Sequence, residues 1–252
     1  MASIINASTT STSGLVQTAD ASGVLQLQSN GVTGLTVGTG GVVTAANGMV
    51  FSSMTLGTAV AGKFEYDGRV PYFTPLGTQR GVVPGMQYFR LNTDLIGANT
   101  TGAQNIFGVG CTVSSSTVYE FETVFVLTKT AGTTSHTISL GFGGTATTSN
   151  TAYLSINQSG TLQTDVPYSG TQFTKWVITS SADAVTTGIT AAGQYRWFNL
   201  KGTVSINAGG TFIPQYTLSA APGGAYTTVT GGYFKIYPIG AAGGNISVGT
   251  WA

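Results

Sequence analysis

Apolar and polar positions alternate most cleanly over residues 118–142, VYEFETVFVLTKTAGTTSHTISLGF. Tyr119, Phe121, Phe125 and Leu127 fall on alternate positions, with Glu120 and Glu122 between them. A strand turns successive side chains to opposite faces, so this period-two pattern predicts a half-buried strand. The run TKTAGTTSH supplies turn residues, after which Ile138, Leu140 and Phe142 resume the alternation. The expectation is one long antiparallel hairpin with an aromatic face turned into a core.

A second long strand is expected over 194–206, where Arg196, Phe198 and Leu200 alternate with Tyr195, Trp197 and Asn199. The first set continues through Val204 and Ile206. Further strands are expected near 87–92, 104–113, 117–128, 135–142, 151–156, 174–179, 212–218, 232–237 and 245–251. Pro214 cannot donate to a ladder and predicts an edge or a bulge in its strand. Many short strands punctuated by turn residues predict an all-β fold, an antiparallel β-sandwich of jelly-roll-like kind, over 87–252. The best helical candidate, Ala182 to Ala192, is interrupted by Thr186-Thr187-Gly188.

The first fifth of the chain reads differently. Asp20 is the one charged side chain of residues 1–50, and short apolar pieces such as Val24-Leu25-Gln26-Leu27 and Leu35-Thr36-Val37 are separated by Ser-Gly, Asn-Gly and Gly-Gly. Each piece is too short to bury a core alone. Flexible linkers lack this regular return of apolar residues. The pattern therefore predicts an intertwined stem in which Leu25, Leu27, Leu35 and Val37 form a homotrimer interface against symmetry mates. Residues 51–86 read as a hairpin connector. In KFEYDGRVPYFTP an Asp67-Gly68 turn joins Phe64 and Tyr66 to Val70 and Tyr72, and Pro71 and Pro75 confine the second strand to an edge.

Composition narrows the function classes. Charged residues are 7% of the chain, against roughly 25% in an ordinary soluble domain. There are 37 glycines, and the net charge is +1 with no basic run. Nucleic-acid binding needs clustered Lys and Arg and is not expected. The single Cys111 cannot form an intrachain disulfide. MASIINASTT lacks the basic start and apolar run of a signal peptide, and no window approaches the roughly 18 apolar residues of a membrane span. Synthesis in a cytoplasm and no membrane insertion are expected.

Candidate chemistry is sparse. His136, the one histidine, sits in or beside a turn with no G-x-S-x-G, so it predicts a solvated turn residue rather than a triad member. One His and one Cys cannot supply the usual zinc ligand set. Glu120 and Glu122 share a strand face; carboxylates roughly 5–9 Å apart can cleave glycosides, but any solvated strand face gives the same spacing. Lys63, Glu65, Asp67 and Arg69 predict cross-turn surface ion pairs, weak by nature, or an inter-subunit contact. The glycine pairs form no G-x-x-x-x-G-K-[ST] loop and read as turns. Tyr153, Tyr168, Tyr226 and Tyr233 lie near turns or strand ends and are candidates for exposed contacts, for example with a host-surface glycan. Neither a cofactor nor a metal site nor catalytic residues are expected.

The strings STTSTSGLVQTADASGVLQLQSNG, GTAVAGKFEYDGRVPYFTP, RGVVPGMQY and GGYFKIYPIGAAGGNISVGTWA resemble tailed-bacteriophage virion proteins: tail fibres, head fibres and minor structural proteins. The resemblance covers most of the chain, and none of its strings is a catalytic signature. It implies a trimeric virion appendage without enzymatic activity. Its N-terminal region would attach to other virion proteins of tail or capsid, and a β-rich C-terminal head would project outward. A capsid decoration protein, a carbohydrate-binding receptor-recognition module and a depolymerase are the alternatives.

Overall fold

The structure is a computed structural model that describes residue 22, residues 24–29, 32–160 and 172–245, and residues 247, 248 and 251. Among the described residues every regular element is a strand and every ladder is antiparallel. The chain divides into two compact units, residues 1–52 and 53–252.

In the first unit, β1 (Leu25–Ser29), β2 (Val32–Val37) and β3 (Val43–Ala45) form one sheet in sequence order. Leu25 pairs with Val37, Leu27 with Leu35, Leu35 with Ala45 and Val37 with Val43. Directly opposed residues of an antiparallel pair point to one side, so these apolar side chains share a face. The opposite face is polar: Gln28 Nε2 donates to Gln26 Oε1 and to Thr33 Oγ1. The alternation seen in sequence has sorted the side chains correctly, yet no described residue of 22–52 is buried. Among the described residues of its unit, this three-stranded sheet has nothing to lay its apolar face on.

The second unit opens with β4 (Phe64–Tyr66), β5 (Pro71–Leu76) and β6 (Gln79–Val82), paired in that order. The expected Asp-Gly hairpin is present. Asp67 Oδ1 accepts from the backbone N–H groups of Arg69 and Val70, and Gly68 takes φ 91°, which a side chain would resist. The proline-bearing strand is central, however, and not at the edge. The register shifts between Phe73 and Leu76, and that bulge takes Pro75 out of the ladder.

The next strands are β7 (Gln87–Arg90), β8 (Leu95–Ile96), β9 (Gly102–Asn105), β10 (Cys111–Val113) and β11 (Thr117–Lys129). Then come β12 (Ile138–Gly143), β13 (Thr147–Gly160), β14 (Gln172–Val177) and β15 (Asp183–Ala184). The last are β16 (Gln194–Ala208), β17 (Gly210–Leu218), β18 (Thr227–Thr228) and β19 (Tyr233–Ala241). They build two sheets. The larger runs β14-β13-β16-β11, and along the far side of β11 first β19 with β7, then β18 with β8, continue it. The smaller runs β10-β17-β12-β15, with β9 also on β17. Pro214 falls where the neighbour of β17 changes from β10, whose pairing reaches Phe212, to β9, whose pairing starts at Gln215; its carbonyl accepts from the Ile106 N–H on that side, so its missing N–H faces the gap and breaks no ladder. The described residues of 245–251 form no strand.

The long hairpin expected over 118–142 does not form. β11 pairs with β16, β19 and β18, whereas β12 lies in the other sheet against β17 and β15. The segment between them carries the chain across the core. Phe121 of β11 meets Phe142 of β12 edge to face, with ring centroids 5.0 Å apart. Phe142 in turn stacks on Phe212 at 4.5 Å, and Phe125 on Phe198 at 4.9 Å. Both strands alternate as expected, but alternation states only that one face is buried. An opposing sheet satisfies it as well as a neighbouring strand does.

Candidate functional site

Lys129, the last residue of β11, continues the inward set Tyr119, Phe121, Phe125 and Leu127, so its ammonium enters the interior. Among the described residues it has no carboxylate partner. Nζ donates to the carbonyls of Ala131, Gly132 and Ala191 at 3.1, 2.7 and 2.9 Å, capping the crossover between the sheets. The ammonium also lies 5.9 Å from the Tyr226 ring centroid. His136 completes the cluster. It is buried, not solvated as the turn chemistry suggested, because the bridge to Ile189 folds the 182–192 segment over it. Its Nδ1 is 2.7 Å from the Thr134 carbonyl, which can only accept, so Nδ1 carries the proton. Nε2 then accepts from the Tyr226 hydroxyl at 2.8 Å. This is a neutral imidazole with both nitrogens engaged, without a nucleophile or carboxylate to form a triad.

Burial holds the His136 pKa below its ordinary 6.5; the Lys129 and Arg196 charges act the same way, and the Thr134 carbonyl opposes them. The unfolded chain therefore binds the proton more readily than the folded one. The stability that His136 confers is complete above pH 6.5 and declines as pH falls from there through the depressed folded value. Urea midpoints measured against pH should show this decline before the carboxylates titrate, and His136→Gln should flatten it. Below about 4.5 a second loss is expected, since Glu65 and Glu122 are held below that ordinary value by their cationic and hydrogen-bonding partners.

Tyr153 and Tyr226 are fully buried, so they are not surface contacts. Their hydroxyls find internal acceptors, the Leu140 carbonyl for Tyr153 and His136 for Tyr226, which is why so polar a ring tip can go inside. Tyr233 is half-buried on the outer face of the larger sheet, donating to Glu122 at 2.7 Å and stacked on Tyr88 at 5.6 Å. Tyr168 lies outside the described residues. Glu120 and Glu122 do share the outer face, where neighbouring strands supply countercharges: Lys201 is 3.8 Å from Glu120 and Lys235 is 3.1 Å from Glu122.

Glu65 departs from the expected surface pairing. It is buried, with Lys63 at 2.8 Å, Arg80 at 2.7 Å and the Gly57 N–H at 2.9 Å. Arg80, on β6, was not legible as a partner, because the pairing of β6 with β5 is what brings it there. Cys111 is half-buried, its Sγ 3.4 Å from the Phe212 carbonyl, and burial pushes the thiol up to about 11. Among the described residues no three His, Cys, Asp or Glu side chains converge.

A cleft of about 580 Å³ opens in the second unit where the Asp67-Gly68 turn faces the loop between β10 and β11. Its lining is polar: Arg69, Gln87, Thr112, Ser114, Ser115 and Tyr66. Arg69 Nε donates to the Ser116 carbonyl at 3.2 Å, and Gln87 Nε2 to the Thr112 carbonyl at 2.9 Å. Among the described residues Ser116 is the one non-glycine with positive φ, 51°, a conformation costing on the order of 1–3 kcal/mol. The surroundings hold it there: the Ser114 N–H donates to the Tyr119 hydroxyl at 2.7 Å and Thr117 Oγ1 to the Ser115 carbonyl at 2.9 Å. The sequence signal was the Ser114-Ser115-Ser116 run between two strand patterns, which marks a turn and nothing more.

No protein-family model matches the chain, and no curated protein matches it.

Proposed function

We propose that this chain is a non-enzymatic structural component of a phage virion, a homotrimeric fibre or appendage. Its N-terminal region attaches to other proteins of tail or capsid and winds with its sister chains, and 87–252 forms a jelly-roll-like β-sandwich head that projects outward. The observation that carries this reading is the uncovered apolar face of the first unit. Leu25 and Leu27 are 47% and 46% exposed, and their partners Val37 and Leu35 are half-buried beside them. Fully burying one such side chain is worth roughly 1.5–3 kcal/mol, and three sheets facing a common axis would cover one another's apolar face. The likeness of the quoted strings to virion proteins supplies the biological setting, and the low charge of the chain suits a particle component.

Sedimentation of the full chain should give a trimer. The double variant Leu25→Lys, Leu27→Lys should sediment as a monomer whose second unit melts as before, since those residues lie outside it. A monodisperse wild-type monomer would remove the appendage reading. Particles lacking 90–252 should fail to adsorb to the host; unchanged adsorption with a weakened capsid would transfer the assignment to a decoration protein.

A further inference from the structure

The polar cleft of the second unit has no part in the stem and none in the packing of the two large sheets. We infer that it is a binding site for a carboxylated sugar. Its volume of about 580 Å³ is within the range of small-molecule sites, roughly 300–1,000 Å³. Its chemistry differs from the ordinary apolar pocket. Hydroxyls of Ser114, Ser115, Thr112 and Tyr66 and the amide of Gln87 line it, with one guanidinium, Arg69, and one carboxylate, Asp67. Hydroxyls and amides both donate and accept, which matches the hydroxyl array of a saccharide.

The guanidinium adds a preference for negative charge. Most basic side chains of the second unit are engaged: Lys63 and Arg80 with Glu65, Lys175 with Asp183, Lys201 with Glu120, Lys235 with Glu122, and Lys129 with three carbonyls. Arg69 has no carboxylate within ion-pair distance among the described residues, although Asp67 is two positions away. Asp67 is occupied otherwise: Oδ1 takes two backbone N–H groups, and Oδ2 takes the Tyr72 hydroxyl at 3.0 Å. Arg69 spends only Nε on the Ser116 carbonyl. The other edge of its fork suits a carboxylate in bidentate fashion. The strained Ser116 and the hydrogen bonds around it fix the loop that presents Ser114 and Ser115, so the site needs little ordering on binding. A uronate or a sialate carries both features, a carboxylate and adjacent hydroxyls, on one ring.

The test is calorimetric titration of the full chain with glucuronate and N-acetylneuraminate, beside glucose and acetate as probes carrying one feature each. At least one acidic sugar should bind saturably, with glucose and acetate weaker by about tenfold or more, the worth of one charge-assisted hydrogen bond. Arg69→Ala should abolish the difference between acidic and neutral sugar. Because Arg69 also joins the Asp-Gly turn to the loop, Ser115→Trp is the second variant: it fills the cleft from an exposed position, and should block binding while the melting temperature stays unchanged. No saturable binding by wild type, glucose binding as tightly as glucuronate, acetate sufficing alone, or binding that survives both variants would each overturn the assignment. A trimer that binds no sugar would leave the appendage reading standing, and a monomer that binds one would leave the cleft standing.

Discussion

Phe121→Ala is expected to lower the unfolding free energy by about 3–5 kcal/mol, the usual cost of truncating a buried phenylalanine. The ring is fully buried at the middle of β11. It touches Phe142 and Phe212 of the smaller sheet at 5.0 and 6.3 Å, and Tyr153 and Phe234 of the larger sheet at 6.1 and 6.2 Å. It is thus a ring that both sheets share, and rigid neighbours on four sides cannot close the cavity its loss would leave. Urea unfolding should show a lower midpoint at an unchanged slope, since the surface exposed on unfolding is nearly the same. A loss under about 1 kcal/mol would mean that the sheets do not meet on this ring.

Gly202→Ala should destabilise by about 1–3 kcal/mol or more, although it adds a single methyl group. Gly202 sits on β16 opposite Phe121 on one side and Tyr153 on the other. Those two rings close over it. A Cβ there would stand 2.2 Å from the Ala152 carbonyl oxygen and 2.5 Å from Tyr153 Cβ, so backbone and not merely a side chain must move. Moving it separates β16 from β13, its partner along the whole strand. Gly193→Ala, with nothing within 4 Å of the added carbon, is the matched control and should lie within about 0.5 kcal/mol of wild type. Equal effects from the two substitutions would show that the close approach at Gly202 is not what selects glycine.

The alternation in 118–128 and 194–206 identified the inward faces of β11 and β16, the two strands at the centre of the larger sheet. Side-chain direction in a strand is a local property, set by the pleat, and can be read residue by residue. Which strand lies beside which is not local. The pairing of β12 with β17 rather than β11, and the central place of β5 despite its prolines, follow from how the whole set of apolar faces is covered. The same holds for polar groups. The Lys129 position was legible as inward only by extending the pattern through a residue type that usually breaks it, and the three carbonyls that make it tolerable come from two separate loops. His136 and Tyr226, 90 residues apart, are partners through tertiary placement alone. Tyr153 and Tyr226 are buried rather than exposed for a related reason. Proximity to a turn says where the backbone is, whereas burial depends on what the opposite sheet brings to the ring.

The sequence by itself determined that this is an all-β chain, that its charges are few and scattered, and that its first fifth carries alternating apolar residues in pieces too short to bury one another. Composition and period are sums over neighbouring residues, and these conclusions need nothing more. Only the tertiary structure decided that the 118–142 segment bridges two sheets, that Glu65 is buried between Lys63 and Arg80, and that Arg69 lines a polar cleft beside an Asp67 whose oxygens are taken by other donors. Each depends on long-range pairing, because a charge or a ring takes its energy from what is near it in space, and chain separation places almost no limit on that.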